Sequence, residues 1–548
     1  MNVEMPENKD QLDVAIIGAG PAGLQAAYSL QGRGLTVEIF ERGAVGEFFR
    51  NFPRHRNLIS INKVHTGLSD PEAQLRYDWN SLLGDPVPRF TTHSPKYFPT
   101  ADEYVGYLEG FADTLGDIIH ANCKITRIGR DGDGYVIESA DGLSRRARQI
   151  IVASGVTLPW LPDVEGIDLV EIYNDFDTSP ESFINKRVLV LGKGNSAFET
   201  AEKLIETTQA THVMSPNKLK FAWNTHFVGH LRAVNTNFLD TYQLKSQNAV
   251  LDARPIKIEK DGDTFVVTAE MTAASGHEIV LTYDRVICCT GWRFDASIFD
   301  DEIRPDMAHM GKFPKMSANW ELEGAPGIWF AGTIMQCRDF KKTMSGFVHG
   351  FRHNIDALAR FVEARAKGTE LPVQQVDLAP ETLAPMLVER ASISAALFLQ
   401  PGFLADVICL SGPQAGACHA AMPLDWAKET VLREGDYLTL TLEFGDFGEN
   451  PLHVNRSHNA FGGAPDPFIH PVLRHWRDGQ EVAMMHLSDH LDADWRDRGD
   501  RDAGAGTVLR MTYADKGAPR APSDVALEQV TAFLAGLAAG APAIAAAE

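Results

Sequence analysis

Val14-Ala15-Ile16-Ile17-Gly18-Ala19-Gly20-Pro21-Ala22-Gly23-Leu24 is the stretch that decides the fold of this chain. Its four leading apolar residues read as a buried parallel strand, and Leu24, Ala27, Tyr28 and Leu30 carry the period of a following helix. In the turn between them, Gly18 permits the bend, Gly20 lets a pyrophosphate approach the backbone, and Gly23 lets helix and strand pack closely. The helix start at Pro21-Ala22 offers unpaired N–H groups and a positive dipole end to phosphate. A second strand, Thr36–Phe40, ends in Glu41, with Arg42 beside it, roughly 20 residues on as a dinucleotide unit requires. A carboxylate there hydrogen-bonds ribose hydroxyls and repels a 2′-phosphate, so the site suits FAD or NAD rather than NADP.

The pattern occurs twice. Arg187-Val188-Leu189-Val190-Leu191 is again a short apolar strand, followed by Gly192-Lys193-Gly194-Asn195-Ser196-Ala197 and a helical pattern to Ile205. The next strand, Thr211–Met214, lacks an acid at its end; Ser215, Asn217, Lys218 and Lys220 stand there instead. Hydroxyls and cations at that position accommodate a 2′-phosphate and favour NADPH, although the same lysines could be solvated surface charges. Two such loops in one chain imply two nucleotides: a flavin, FAD, and the NADPH that reduces it.

A chain of 548 residues exceeds one core. Its net charge of −22 disfavours nucleic acid and anionic membranes as partners, and no apolar run reaches membrane-spanning length. The charged start, Met1–Asp10, does not read as a signal peptide. The six cysteines form no C-x-x-C pair, which points to reduced thiols in a cytoplasmic protein and against a dithiol mechanism. Adjacent Cys288 and Cys289 end a buried-looking strand and read as small core residues.

The order of segments suggests interruption rather than succession. We expect a flavin-binding domain over 1–175, an NADPH-binding domain over 176–284, and a return to the first domain over 285–370, carried by Arg285–Trp292 and Gly327–Thr333. Residues 371–548 differ, with 24 acidic and 12 basic residues. Tyr437–Phe444 alternates like a half-buried strand, and Val525–Leu537 reads as a helix. His486 and His490 stand four apart, but no third ligand is suitably spaced, so no metal is expected. The fold class is therefore α/β, two nested Rossmann-type dinucleotide-binding domains of three-layer ββα form, with an α+β C-terminal region that offers a surface for a homo-oligomer.

Over residues 12 to 365 this order resembles the class B flavin monooxygenases, which nest one dinucleotide unit in another. The supporting motifs are Gly18–Gly23 with Glu41, Ser154-Gly155 and its proline-rich connector, Gly192–Glu199, Thr290-Gly291 and Gly332. Phe52–Lys63, Arg76–Leu83, Gly194–Ala201, Asp240–Lys245 and Gly346–Arg352 are similar to the FAD-dependent oxidoreductase domain-containing family and to bacterial N-oxidising flavoenzymes of natural-product biosynthesis, including those that convert aspartate to nitrosuccinate. The resemblance implies NADPH-driven N-oxidation of a small amine or amino acid with O2 through a flavin C4a-hydroperoxide, and adds Ser154, Gly155, Gly332, Thr333 and Gly346 to the cofactor contacts. A convincing F-x-G-x-x-x-H-x-x-x-W monooxygenase motif is absent.

Asn62 looks like an asparagine placed beside the flavin, or else a turn residue satisfying its own backbone. Lys63 suits a nicotinamide phosphate, a substrate carboxylate, or plain solvation. Arg54, His55 and Arg56 could fork a dicarboxylate, bind flavin phosphates, or ion-pair within this acidic protein. His226 is a candidate general base, since imidazole titrates near neutrality, with a core histidine as the alternative. Asp240 and Lys245 carry the resemblance as substrate-side residues without a derivable role. The competing reading is an NADPH-driven flavin reductase that passes electrons to a protein partner or quinone.

Overall fold

The computed structural model describes residues 11–222, 229–243, 247–272, 274–447, 466–488, 490, 492–496, 513–515, 518–520 and 522–539. Its first sheet is built on β1 (Gln11–Ile17), which leads through the first glycine turn into α1 (Pro21–Gln31). β2 (Val37–Phe40) pairs in parallel with β1, Val14 opposite Val37. After α2 (Ala101–Asp113) the sheet adds β3 (Ile119–His120), β4 (Ile125–Asp131), β5 (Gly134–Ser139) and β6 (Ser144–Val152) in the order β3-β2-β1-β6-β5-β4. Val14, Ala15 and Ile16 are fully buried. A strand covered on both faces has no polar side to present, which is why it reads as an unbroken apolar run.

The chain then leaves this sheet to build a second one from β7 (Glu171–Ile172), β8 (Arg187–Leu191), β9 (Ala210–Ser215), β10 (Ala249–Asp261), β11 (Thr264–Met271), β12 (His277–Tyr283) and β13 (Arg285–Cys288). Their order is β12-β11-β10-β9-β8-β13-β7, and α3 (Asn195–Leu204) follows the second glycine turn. β14 (Ile328–Phe330) returns to the first sheet, parallel to β6 with Ile328 opposite Ile150. The nesting is thus present, but its seams differ from those expected. Arg285–Cys288 lies in the second sheet beside β8, Val286 opposite Leu189, instead of returning to the first. Glu171–Ile172 also joins that sheet, ahead of residue 176. Short apolar runs closed by a Thr-Gly or Gly-Thr pair look alike in sequence; only the partner strand separates them.

α4 (Val348–Lys367) is buried along most of its length because α1 flanks it on one side and the C-terminal region on the other. That region holds β15 (Gln374–Gln375), α5 (Pro380–Ile393), β16 (Leu404–Cys409), β17 (Ala417–Pro423), β18 (Asp436–Glu443), β19 (His470–Arg477), β20 (Gln480–His486) and α6 (Pro522–Ala538). The strands form an antiparallel sheet ordered β15-β17-β16-β18-β19-β20. Its core is continuous with that of the first sheet.

β18 corrects one expectation. Leu438 to Leu442 are all buried, so the strand is covered on both faces rather than half exposed. Thr439 compensates by accepting the Trp476 indole N–H at 2.9 Å. His486 ends β20 and meets His470 across the sheet at 2.9 Å; no helix places it beside His490. Among the described residues no cluster of His, Cys, Asp and Glu is arranged to hold a metal, and no helix is long and apolar enough to cross a membrane.

Candidate functional site

Both glycine turns open into one cavity of about 960 Å³ between the two sheets. On the first side its wall includes Gly18, Gly20, Pro21 and Ala22, with Glu41 and Arg42 at the end of β2. Ser154 and Gly155 after β6, Gly332 and Thr333 after β14, and Gly346 before α4 complete that side. α1 begins at Gly20 with no side-chain cap and no acid in its first turn, whereas α2 is closed by a capping box of Thr100 and Glu103. The free N–H groups and positive dipole end of α1 are therefore left for an anion.

The turn fits the flavin's diphosphate sterically. A Cβ at Gly20 would meet nothing within 4 Å, so its backbone faces open cavity. Gly23 is absent from the wall because its task is packing: a Cβ there would lie 1.8 Å from the Gly18 carbonyl oxygen. Glu41 is buried and accepts the Ala19 and Gly43 N–H groups at 2.7 and 3.0 Å. A carboxylate has about four acceptor positions, which leaves room for ribose hydroxyls.

On the second side the wall carries Gly192, Gly194, Asn195 and Ser196 at the start of α3, again without cap or acid. Ser215 and the exposed Lys218 and Lys220 lie beyond β9. Lys193 is not free: its ammonium group donates to the Ser215 and Asn217 carbonyls at 3.2 and 3.1 Å and pairs with Asp252. Asp252 stands opposite Ser215 on the neighbouring strand, and Lys193 pairs with it. The set suits a nicotinamide dinucleotide whose ribose end meets cations.

Between the two loops stands a group that the sequence reading did not single out. Phe52 packs edge-on against Trp292 at 4.6 Å and stacks on Tyr173 at 5.8 Å, joining the two nucleotide units. Behind them, Glu199 of α3 accepts the Tyr173 hydroxyl at 2.8 Å and the His55 backbone N–H at 3.1 Å. Burial outweighs these bonds and pushes the Glu199 carboxyl up to about 7. The Tyr173 hydroxyl in turn accepts the Arg54 backbone N–H at 3.0 Å. Cys289 is the only cysteine on the wall among the described residues, and burial raises its thiol well above the ordinary range. Cys288 packs into a different cluster on the other face of the sheet and meets Thr290 at 3.2 Å. Glu199 and Phe52 lay within stretches quoted for the family resemblance, and Trp292 ended the quoted Arg285–Trp292 run, but no spacing marked them or Tyr173 as one group.

Several candidate residues are engaged elsewhere. Arg54 donates to the Phe176 carbonyl at 2.8 Å, and Arg56 holds Asp102 at 2.6 Å and the Phe49 carbonyl at 2.8 Å. His55 is driven to about 4 by burial and by Lys203 and Arg54, so its ring is neutral. None of the three lines the cavity; they tie loop 52–58 to its neighbours. Asn62 is buried with its amide donating to the Ser94 carbonyl at 2.6 Å, and Lys63 is exposed; neither is on the wall. Asp240 is exposed on a helix, Asn237–Gln243, also away from the wall. His226 and Lys245 lie outside the described residues.

A family model described as pyridine nucleotide-disulphide oxidoreductase matches residues 15–332. FAD-dependent oxidoreductase domain-containing protein 2 of Mus musculus is 38% identical over 512 residues, covering 85% of this chain and 76% of its own length. Among solved structures, bacillithiol disulfide reductase Bdr from Staphylococcus aureus superposes with a TM-score of 0.51 at 18% identity, covering 65% of this chain and 99% of its own. A flavin-containing monooxygenase from Stenotrophomonas maltophilia gives 0.51 at 19% identity, with coverage of 65% and 99%. A reductase and a monooxygenase thus share this fold equally.

Proposed function

Because the chain belongs to the pyridine nucleotide-disulphide oxidoreductase family, a family of flavoproteins that bind FAD and NAD(P)H, we propose that it is an FAD- and NADPH-dependent monooxygenase that oxidises the nitrogen of a small amine or amino acid. The balance is NADPH, a proton, O2 and substrate giving NADP⁺, water and the oxygenated substrate. The observation that carries this reading is one cavity reached by both nucleotide loops, with a solitary, high-pKa thiol on its wall. With the cysteines all free and a single thiol at the cavity, the electrons in this reading go to dioxygen and a small molecule there.

When bound, FAD supplies hydride acceptance and the activation of dioxygen, chemistry no side chain offers. The α1 turn and Glu41 hold its diphosphate and ribose. The α3 turn would hold the nicotinamide dinucleotide, and Lys218 and Lys220 on the same wall would supply cations for a 2′-phosphate. Phe52, Tyr173 and Trp292 exclude water where the two units meet. An amine must shed a proton before its nitrogen can be oxidised, and among the described residues Glu199, poised near neutrality beside the cavity, is suited to receive it.

The test is turnover under ¹⁸O2 with NADPH and a panel of small amino acids and amines that includes L-aspartate. Incorporation of one ¹⁸O atom into an amine product supports the proposal. NADPH oxidation that reduces ferricyanide or a quinone, with no amine in the panel acquiring ¹⁸O, overturns it in favour of the reductase.

A further inference from the structure

Two of the motifs behind the family resemblance meet at the cavity's far end. Arg352, fully buried in α4, donates to the Ser81 and Leu75 carbonyls at 2.6 and 2.7 Å and so locks the Arg76–Leu83 stretch against Gly346–Arg352. The result is an aromatic wall: His349 stacks on Trp79 at 4.7 Å and on Phe347 at 5.3 Å, and Phe347 lines the cavity. His349 is buried and kept neutral, and its Nδ1 has no hydrogen-bond partner.

Arg232 packs on this corner through Phe347 without itself lining the cavity. Its guanidinium lies over the Phe347 ring at 4.7 Å and within 5.9 Å of Trp79. Its backbone is fixed from the second nucleotide loop: the Arg232 N–H donates to Asn195 Oδ1 at 2.9 Å, and Asn195 Nδ2 donates to the His230 carbonyl at 2.8 Å. His230 and Asn235, on either side of it in sequence, both line the cavity. Among the described residues the guanidinium has no hydrogen bond and no ion pair, in a protein of net charge −22 where most arginines find an acid. Burial alone acts on it and lowers it to about 10. Mostly buried charge without a counter-ion is costly to keep, and a ring-stacked guanidinium still has its in-plane N–H groups to offer. That edge matches a planar, two-oxygen acceptor.

We propose that Arg232 is the anchor for a carboxylate of the substrate, held between the Phe347–His349–Trp79 wall and the second nucleotide loop. The inference rests on the monooxygenase reading for the word substrate and narrows that reading to acid-bearing molecules, amino acids ahead of simple amines. Diphosphate is the lesser match for this corner, since the two uncapped helix starts already receive the diphosphates.

The experiment is a titration of the oxidised flavin-loaded protein with succinate, followed by calorimetry and by the flavin difference spectrum, in wild type, Arg232→Lys and Arg232→Gln. Succinate cannot be N-oxidised, so the result is independent of whether the protein oxygenates amines. Saturable binding to wild type is expected, weakened at least about tenfold by Arg232→Gln and less by Arg232→Lys, which keeps the charge but not the fork. Propylamine, without an acid group, should bind equally to all three. Flavin content and the affinity for NADPH should be unchanged, which also shows that the variants fold. Wild type that ignores succinate, Arg232→Gln that binds it as tightly as wild type, or an NADPH affinity that falls with the substitution overturns the assignment, the last by making Arg232 a nucleotide-phosphate contact.

Discussion

Gly20 and Gly23 are three residues apart in one turn, and the structure gives their substitutions opposite consequences. A methyl at Gly23 would lie 1.8 Å from the Gly18 oxygen, where real Cβ contacts stay beyond 3.0 Å, so the turn and α1 must separate by at least 1.2 Å. Overpacking of this kind costs about 1–3 kcal/mol, sometimes more, and here it forces apart two backbone segments. Gly20 has φ −80° and ψ −177°, a conformation open to any residue, and faces empty space. Gly20→Ala should therefore leave the apoprotein as stable as wild type or about 0.4–1 kcal/mol more stable through its unfolded state, yet place a methyl where the diphosphate meets the backbone. The assays are thermal unfolding of each apoprotein and flavin absorbance retained after gel filtration. Gly23→Ala should melt several degrees lower, and Gly20→Ala should melt normally but emerge colourless. A yellow Gly20→Ala protein with stoichiometric flavin would refute the assignment of this turn to FAD. A Gly23→Ala apoprotein with wild-type melting would refute the close-packing argument.

Glu199 carries a pH signature. Raised from 4.5 to about 7 in the folded protein, it binds a proton that the unfolded chain has released, so its contribution to stability is complete below about 4.5 and lost as pH rises to about 7. Glu199→Gln keeps one acceptor oxygen, for the His55 N–H, and turns its NH2 toward the Tyr173 hydroxyl oxygen; without a buried charge it should be the more stable protein at pH 8, by up to about 3 kcal/mol, with a flatter stability profile by chemical denaturation between pH 4.5 and 7. The same variant should lose the rise in kcat/KM through pH 7 that a carboxylate base gives wild type. Lys218→Ala should raise KM for NADPH by about tenfold, the scale of one charge-assisted contact, while KM for NADH stays within twofold; equal effects would remove the 2′-phosphate role. Cys289→Ser should preserve turnover and flavin content. Loss of NADPH oxidation in a folded, yellow Cys289→Ser protein would restore the thiol to the mechanism.

The parts of the fold fixed by local chemistry could be read before any coordinates. β1, β8 and the two glycine turns announce themselves because a strand covered on both faces has no polar residues, and because Gly18 and Gly192 sit against backbone carbonyls where no side chain fits. Placement in a sheet is a different matter. Arg285–Cys288 and Ile328–Phe330 are both short and apolar, and nothing within them says that one pairs with β8 and the other with β6. β18 alternates Leu with Thr, as a half-exposed strand does, but the helix Leu424–Glu429 and the turn Val431–Arg433 pack over the threonine face and Trp476 satisfies one of them.

The same division runs through the site. The residues named for the two glycine turns and their flanking strand ends were legible because backbone shape dictates their type, and almost all of them line the cavity. Charged residues were read less well, because a charge is informative only when its partner is known. Arg54, Arg56 and Lys193 look available in sequence and are occupied in space, by Phe176, by Asp102 and by Asp252. Arg232 drew no attention, in a segment without periodicity, and among the described residues its guanidinium has neither acid nor carbonyl and lies over the Phe347 ring that lines the cavity. Glu199 is its counterpart, a carboxyl held so far from solvent that it is poised to exchange a proton near pH 7. The unpaired cation of Arg232 and the near-neutral carboxyl of Glu199 are both set by burial and by which neighbours reach them, and neither property leaves a mark in sequence spacing.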